Sequence, residues 1–383
     1  MKIAFVSTMS GAPWGGSEEL WSGAAERILQ AGHETHIGVF DWPEPRPMIR
    51  KLRQSGARLH LRPRPQALRS RLWRKFLPNS EFAWLGRVRP NLLIISQGAN
   101  FDGVGWMMAA QSQAIDYIPV AHMAAGACWP PSDQSQAAAS GYLAARLCCF
   151  VSEGNRWLTE RQIAAHLQRV RIVRNPCNVD YHADPPWPKS MTPLQLACVA
   201  RLCPDAKGQD LLIDVLSRPK WRSRNLLVRF FGQGPGLDHL RRLCGMLNVE
   251  AVRFAGHVSD IEKIWSEHHA LVLPSRFEGM PMALVEAMLC RRAALVTNVG
   301  GNAELVRDGL TGFVAAAPDA DLLDQAMERL WAGREQLRAM GRAAGESIRR
   351  AVPPDPVGQF VELILGNAPS ALRPTEAAAP IPA

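Results

Sequence analysis

Short runs that are apolar on successive residues alternate with longer stretches of helical spacing along most of the chain. In the first half the runs fall at residues 3–7, 34–40, 58–61, 92–96, 118–121, 147–151 and 170–173. A strand with one wet face would alternate apolar and polar side chains. Continuous apolar runs separated by helices instead predict a parallel sheet covered on both faces. The pattern stops at the proline-rich segment 184–193, DPPWPKSMTP, and restarts with runs at 194–200, 226–231, 252–255, 270–274, 293–297 and 312–314. The predicted fold class is α/β, with two Rossmann-like, doubly wound parallel-sheet domains facing each other across a cleft. The expected domains are 1–183 and 194–352, joined by a hinge at 184–193. A last helix within 353–366 is expected to return to the first domain, and the Ala/Pro-rich tail 367–383 to be disordered.

Composition narrows the picture without changing it. At 383 residues the chain exceeds one ordinary core, and 47% hydrophobic with 21% charged residues is the balance of a globular protein. No apolar run reaches the roughly 18 residues of a membrane span, and residues 1–6, MKIAFV, read as a buried strand rather than an export signal. The expected location is cytoplasmic. Eight cysteines without a CxxC pair are expected to be reduced thiols packed in the core.

The net charge of +9 is concentrated: Arg46 to Arg89 holds 13 Arg or Lys against the single acid Glu81, a local excess of +12. With Trp73, Phe76 and Leu77 interleaved, this stretch reads either as a solvated helical face or as a contact with an anionic partner, a membrane at its inner face or an acidic acceptor. No helix-turn-helix, zinc or RNA-binding pattern accompanies the charge, and no nucleic-acid partner is expected.

Candidate chemistry gathers at loops that follow strands. The segment 270–288, ALVLPSRFEGMPMALVEAM, runs from an apolar strand through a short loop into a helix with Pro281 in its first turn. The amides of Met282, Ala283 and Leu284 then stand unpaired at a positive helix end, a seat for phosphate oxygens. Glu278 and Glu286 bracket that seat. Carboxylates do not bind phosphate, so their partners are expected to be hydroxyls: a ribose for Glu286 and a sugar for Glu278.

The loop RLCPDAKGQD after the run at 194–200 carries Arg201 and Lys207, two cations able to neutralise a diphosphate and the charge that develops when it departs. FFGQGPG, 230–236, has the spacing GxGxG rather than GxGxxG, and Gly232 is read as a close backbone approach to a ligand rather than as a dinucleotide fingerprint. GGSE near the amino terminus is either a phosphate turn or an ordinary helix start near Glu18. His122 lies at the carboxyl edge of the first sheet, facing the cleft. The DxD at Asp319–Asp321 follows Pro318 and reads as a helix cap, and no metal site is expected.

Together GGSEE, ARLCPDAKGQDLLI, FFGQGPG, SRFEGMPMALVEAM and NVGGNAELVRDGLTGF resemble family 4 glycosyltransferases, the retaining group with the GT-B fold. The resemblance is strongest over 196–330, and its E-x7-E pattern falls on Glu278 and Glu286. It implies a nucleotide-diphosphate sugar held between the domains, with Arg201 and Lys207 on the diphosphate and Glu286 on the ribose. It further implies Glu278 with the Gly279, Met280 and Pro281 backbone and the Leu284 turn at the donor, Gly16 near the phosphate, and His122 near the sugar. Met123, not Asp, follows that histidine. No cofactor or metal is implied, and the acceptor is open: a polysaccharide, a glycolipid or a small molecule. Alternatives are a sugar-nucleotide epimerase or phosphorylase of the same fold, a nicotinamide-dependent oxidoreductase, and a non-catalytic anion-binding module.

Overall fold

A computed structural model describes residues 1–44, 46–64 and 82–369. The centre of the basic stretch and most of the tail expected to be disordered lie outside the described residues. Seven parallel strands form the first sheet: β1 (Lys2–Ser7), β2 (Glu34–Phe40), β3 (Arg58–Arg62), β4 (Leu92–Gln97), β5 (Tyr117–Ala121), β6 (Cys148–Phe150) and β7 (Val170–Ile172), in the order β3-β2-β1-β4-β5-β6-β7. Six parallel strands form the second: β8 (Leu194–Val199), β9 (Leu226–Phe231), β10 (Val252–Gly256), β11 (Ala270–Leu273), β12 (Ala293–Thr297) and β13 (Gly312–Ala315), in the order β10-β9-β8-β11-β12-β13. Each of the thirteen apolar runs has become a strand. The central ones are buried along nearly their whole length because helices cover both faces.

In each sheet the strand order reverses at one place, between β1 and β4 and between β8 and β11. Loops leaving the carboxyl ends of strands diverge there and leave a crevice. The loops after β1, β8 and β11 are those that carry GGSE, RLCPDAKG and SRFEGMP.

The segment 184–193 lies against the second domain. The buried Arg292 donates to the carbonyls of Pro185 and Pro186, at 3.2 and 2.7 Å, and His269 Nε2 lies 3.0 Å from the Ser190 carbonyl. The chain then crosses back: the helix Pro356–Asn367 packs on the helix Gly16–Gln30 of the first domain. Val357 sits over Gly23, where a Cβ would stand 3.2 Å from both its methyls, and Arg27 pairs with Asp355, the cap of the returning helix. Phe360 and Ile364 are 1% and 0% exposed, so this helix closes the core of the first domain. Phe360→Ala should therefore lower unfolding stability by about 3–5 kcal/mol. Chemical denaturation reads this directly, and an unchanged midpoint would show that the helix contributes nothing to the fold.

Candidate active site

The helix Met282–Leu289 sets the frame. Pro281 precedes it with an extended backbone (φ −70°, ψ 124°), one position earlier than a first-turn proline. Its carbonyl accepts from the amides of Leu284 and Val285, at 3.1 and 3.3 Å. The expectation of three unpaired amides is corrected accordingly: Leu284 is engaged, and Met282 and Ala283 alone present theirs at the open end. Leu284's side chain is fully buried, and Met280's nearly so.

Glu278 stands at this open end, 5% exposed, and its Oε1 accepts from Lys207 Nζ at 2.7 Å and from Ser275 Oγ at 2.6 Å. Lys207 reaches it because the loop 201–208 is strapped to the segment 274–278. The amides of Arg276 and Phe277 donate to the Ala206 carbonyl, and the Arg276 guanidinium holds Asp210 with two bonds of 2.7 Å. Gly208, in the left-handed region at φ +63°, lets the strap close, since a Cβ there would overlap the Pro274 carbonyl oxygen. Arg201 is exposed, with no ion-pair partner among the described residues. Gly232 makes its close approach to the Ala200 backbone, which joins the ends of β8 and β9.

Glu286, 3% exposed, faces the other side of the helix start. Its Oε1 accepts from the Asn178 backbone and side-chain nitrogens, both at 3.0 Å. Burial raises its pKa against the opposing effect of those two bonds. Asn178 comes from the strand of chain leaving the first domain, so the second-domain carboxylate is half-satisfied by a residue distant in sequence.

The two domains meet around Gly279. Its Cα lies against the His122 carbonyl, where a side chain would collide, and its own carbonyl accepts from the Gly301 amide at 2.7 Å. Glu304 reaches across to the first domain and accepts from the amides of Glu153 and Gly154, at 3.2 and 2.6 Å. A carboxylate at the start of the helix Glu153–Ile163 is favourable both for the unpaired amides and for the helix dipole. Gly16 abuts the second domain beside the same junction: a Cβ there would stand 2.6 Å from Met282 Sδ.

His122 contributes its backbone to this junction. Its ring is buried, with Nε2 3.3 Å from Ser96 Oγ of β4, and burial depresses its pKa to about 4 against the weaker opposing influence of Asn175. Glu18, read as a helix-start acid, lies within a helix that begins two residues earlier at Gly16; the packing of that helix on β1 leaves it 5% exposed and accepting from Ser7 Oγ at 2.6 Å. Asp319 caps its helix by accepting from the amides of Asp321 and Leu322.

Residues 183–347 match the family model of glycosyl transferases group 1. The second domain belongs to glycosyl transferases group 1. Similar curated proteins include the GDP-mannose-dependent alpha-(1-6)-phosphatidylinositol monomannoside mannosyltransferase of Mycolicibacterium smegmatis, 32% identical over 39% of this chain and 41% of that protein. An exopolysaccharide phosphotransferase of Streptomyces coelicolor is 30% identical over 45% of this chain but only 19% of its own length. The chain thus spans less than half of these relatives. Among solved structures, HepE of Anabaena, in complex with UDP, superposes with a TM-score of 0.74 at 18% identity, covering 96% of this chain and 100% of that one. Sucrose-phosphate synthase of Thermosynechococcus elongatus gives 0.72 at 16% identity over 96% and 100%. The fold is GT-B.

Arg201, Lys207, Glu278 and Glu286 lie within the group 1 domain, whereas Gly16 and His122 are supplied by the first domain. Motif reading missed Ser275, Arg276, Asn178 and the reach of Glu304. Arg276 and Asp210 each stood inside a quoted motif, and their opposite charges were the available signal. Asn178 carried none.

Gly279→Ala should cost about 1–3 kcal/mol through overpacking at the junction and loosen the domains. A thermal melt measures the first effect and hydrogen exchange at the amides of Glu153 and Gly154 the second. The His122 shift fixes a pH trend. Folded His122 stays neutral down to about pH 4 while the unfolded side chain protonates near 6.5, so stability present above 6.5 is lost on acidification through that window. His122→Gln should flatten the fall in melting temperature between pH 7 and 5; an equal fall in both proteins would refute the assignment.

Proposed function

We propose that the chain is a retaining glycosyltransferase that moves a sugar from a nucleotide-diphosphate sugar to an acceptor hydroxyl. The observation that carries this reading is the convergence of Lys207, Glu278 and the free Met282 and Ala283 amides at one helix end facing the first domain. Cations and amides there suit a diphosphate, while the two carboxylates suit hydroxyls. UDP and UDP-glucose are bound by HepE, which shares the fold, and the mycobacterial relative is named for a GDP-mannose donor. Both have the chemistry this site is proposed to hold.

In the proposed reaction Arg201 and Lys207 take the diphosphate and stabilise the charge that grows on it as the glycosidic bond breaks. Lys207 leaves its resting bond to Glu278 or shares it. Glu278 and the Gly279–Pro281 backbone hold the sugar hydroxyls, Glu286 uses its remaining lone pairs on the ribose, and His122 lies on the sugar side. Positive charge comes from side chains and amides, so the reaction needs no metal. In this reading no carboxylate is assigned as a nucleophile; the acceptor attacks from the face of the departing phosphate, which takes its proton, and the configuration is preserved.

Lys207→Gln keeps a donor toward Glu278 and removes the charge. It should lower turnover by at least about 100-fold, since lost leaving-group stabilisation acts mainly on the transition state. A screen of UDP, GDP and ADP sugars by thermal shift should show one donor raising the melting temperature. A fully active Lys207→Gln protein, or indifference to all donors, would defeat the proposal.

A further inference from the structure

The second domain carries a basic cleft where the helix Met282–Leu289 has ended and β12 begins, lined by Arg291, Arg292, Arg338 and Arg342 with Asp184 and Trp187 of the interdomain segment. The strands of this sheet run parallel, so the amino end of β12 lies at the edge away from the loops after β8 and β11. A volume of about 170 Å³ is room for roughly ten waters, and so for a phosphate group with part of its hydration.

Close backbone packing gathers the arginines. The helix Leu337–Ala351 crosses residues 291–292 at Gly341, where a Cβ would overlap the Arg291 carbonyl oxygen, and at Gly345, where one would stand 3.0 Å from Arg291 Cγ. Arg291 is left-handed at φ 57°, just past a helix end where glycine is usual, so a guanidinium stands where the backbone disfavours any side chain.

The four cations are not equally spent. Arg292, 2% exposed, gives its N–H groups to the carbonyls of Trp265, His268, Cys290, Pro185 and Pro186. Burial, aided by the charge of Arg338, holds its pKa down to about 10, so it stays charged near neutral pH. Arg291 pairs with Asp184 at 3.0 Å, the one acid among the described lining residues. Arg338 and Arg342 are exposed, one turn apart, and have no ion-pair partner among the described residues. Of the acids flanking them in sequence, Glu335 pairs with Arg334 at 3.8 Å and Glu346 lies outside the lining. The negative end of the helix Met282–Leu289 is already covered, its Leu289 and Cys290 carbonyls being taken by Arg349 and Arg292. Four guanidinium groups against one carboxylate leave an excess of +3. Arg338 also stands in the first turn of its helix, where the dipole disfavours a cation. A phosphate dianion answers both: it neutralises the excess, and its oxygens match the planar guanidinium forks.

We infer that this cleft binds a soluble phosphate-bearing anion, with Arg338 and Arg342 as its principal ligands and Arg291 beside them. Arg292 holds Pro185 and Pro186, so an anion that relieves its repulsion from Arg338 also steadies the interdomain segment. None of this depends on what the domain cleft binds.

Calorimetric titration of the full chain with sodium phosphate, against sodium chloride at matched ionic strength, tests the site. The double substitution of Arg338→Gln with Arg342→Gln alters exposed side chains alone and should weaken phosphate binding at least tenfold. Lys207→Gln, in the proposed donor site, should leave it unchanged. Hydrogen exchange should slow on phosphate addition in residues 187–192 and 337–342 of the parent protein and not of the double variant. No saturable binding below about 10 mM phosphate, or binding that the double variant retains, overturns the inference; so does binding lost in Lys207→Gln, which leaves the transferase reading standing. Flotation with phosphatidylglycerol and phosphatidylcholine vesicles reads the source: parent and double variant should float equally, and a loss confined to the double variant would put a lipid headgroup, not a soluble phosphate, in the cleft.

Discussion

Everything at the domain junction depends on the backbone of Gly279 lying against the carbonyl of His122, with no side chain between them. That contact sets the distance between the two sheets' carboxyl edges. With it in place, the Gly279 carbonyl is free to accept from Gly301, and Glu304 is near enough to satisfy two amides of a helix in the other domain. The Gly279–Gly301 bond is buried and would be costly to leave unmade, whereas the Glu304 bonds lie at the solvent-exposed rim and tie a carboxylate to a helix start. The returning helix Pro356–Asn367 ties the domains a second time, far from the cleft.

The junction also explains how two carboxylates are tolerated where a helix end and cations gather. Glu278 is almost wholly covered, yet it has an ammonium and a hydroxyl within 2.7 Å, and Glu286 has two N–H donors from Asn178. Each uses one oxygen for these bonds. A buried carboxylate with an unspent acceptor is poised to take a hydroxyl from a ligand without first losing its structural partners. The rigidity of the arrangement comes from Arg276, whose paired bonds to Asp210 keep the Lys207 loop against the Glu278 segment.

The first domain supplies a different chemistry at the same crevice. Around Lys207 and Glu278 the side chains are polar, whereas those of Trp14, Trp21, Phe40 and Trp42 line an aromatic wall in the first domain.

What the sequence determined by itself is everything that follows from local periodicity and local chemistry. Thirteen apolar runs defined thirteen strands, since a run buried on both faces has no other stable place than the interior of a covered sheet. Proline at 281 and aspartate at 319 marked helix starts through their own backbone and side-chain preferences, and the motifs around 201–208 and 270–288 named the segments that now face each other. The tertiary structure alone decided the pairings between them. Asn178 meets Glu286 across 108 residues and Glu304 meets Gly154 across 150, separations over which no spacing rule operates. Glu18 had the sequence of an ordinary helix-start acid, and only the packing of β1 against the following helix buried it. The amide of Leu284 was counted as free because helix geometry predicts it; the particular turn at Pro281 spent it. Such outcomes depend on where two chain segments come to lie, and that is set by the packing of whole domains rather than by any residue's neighbours.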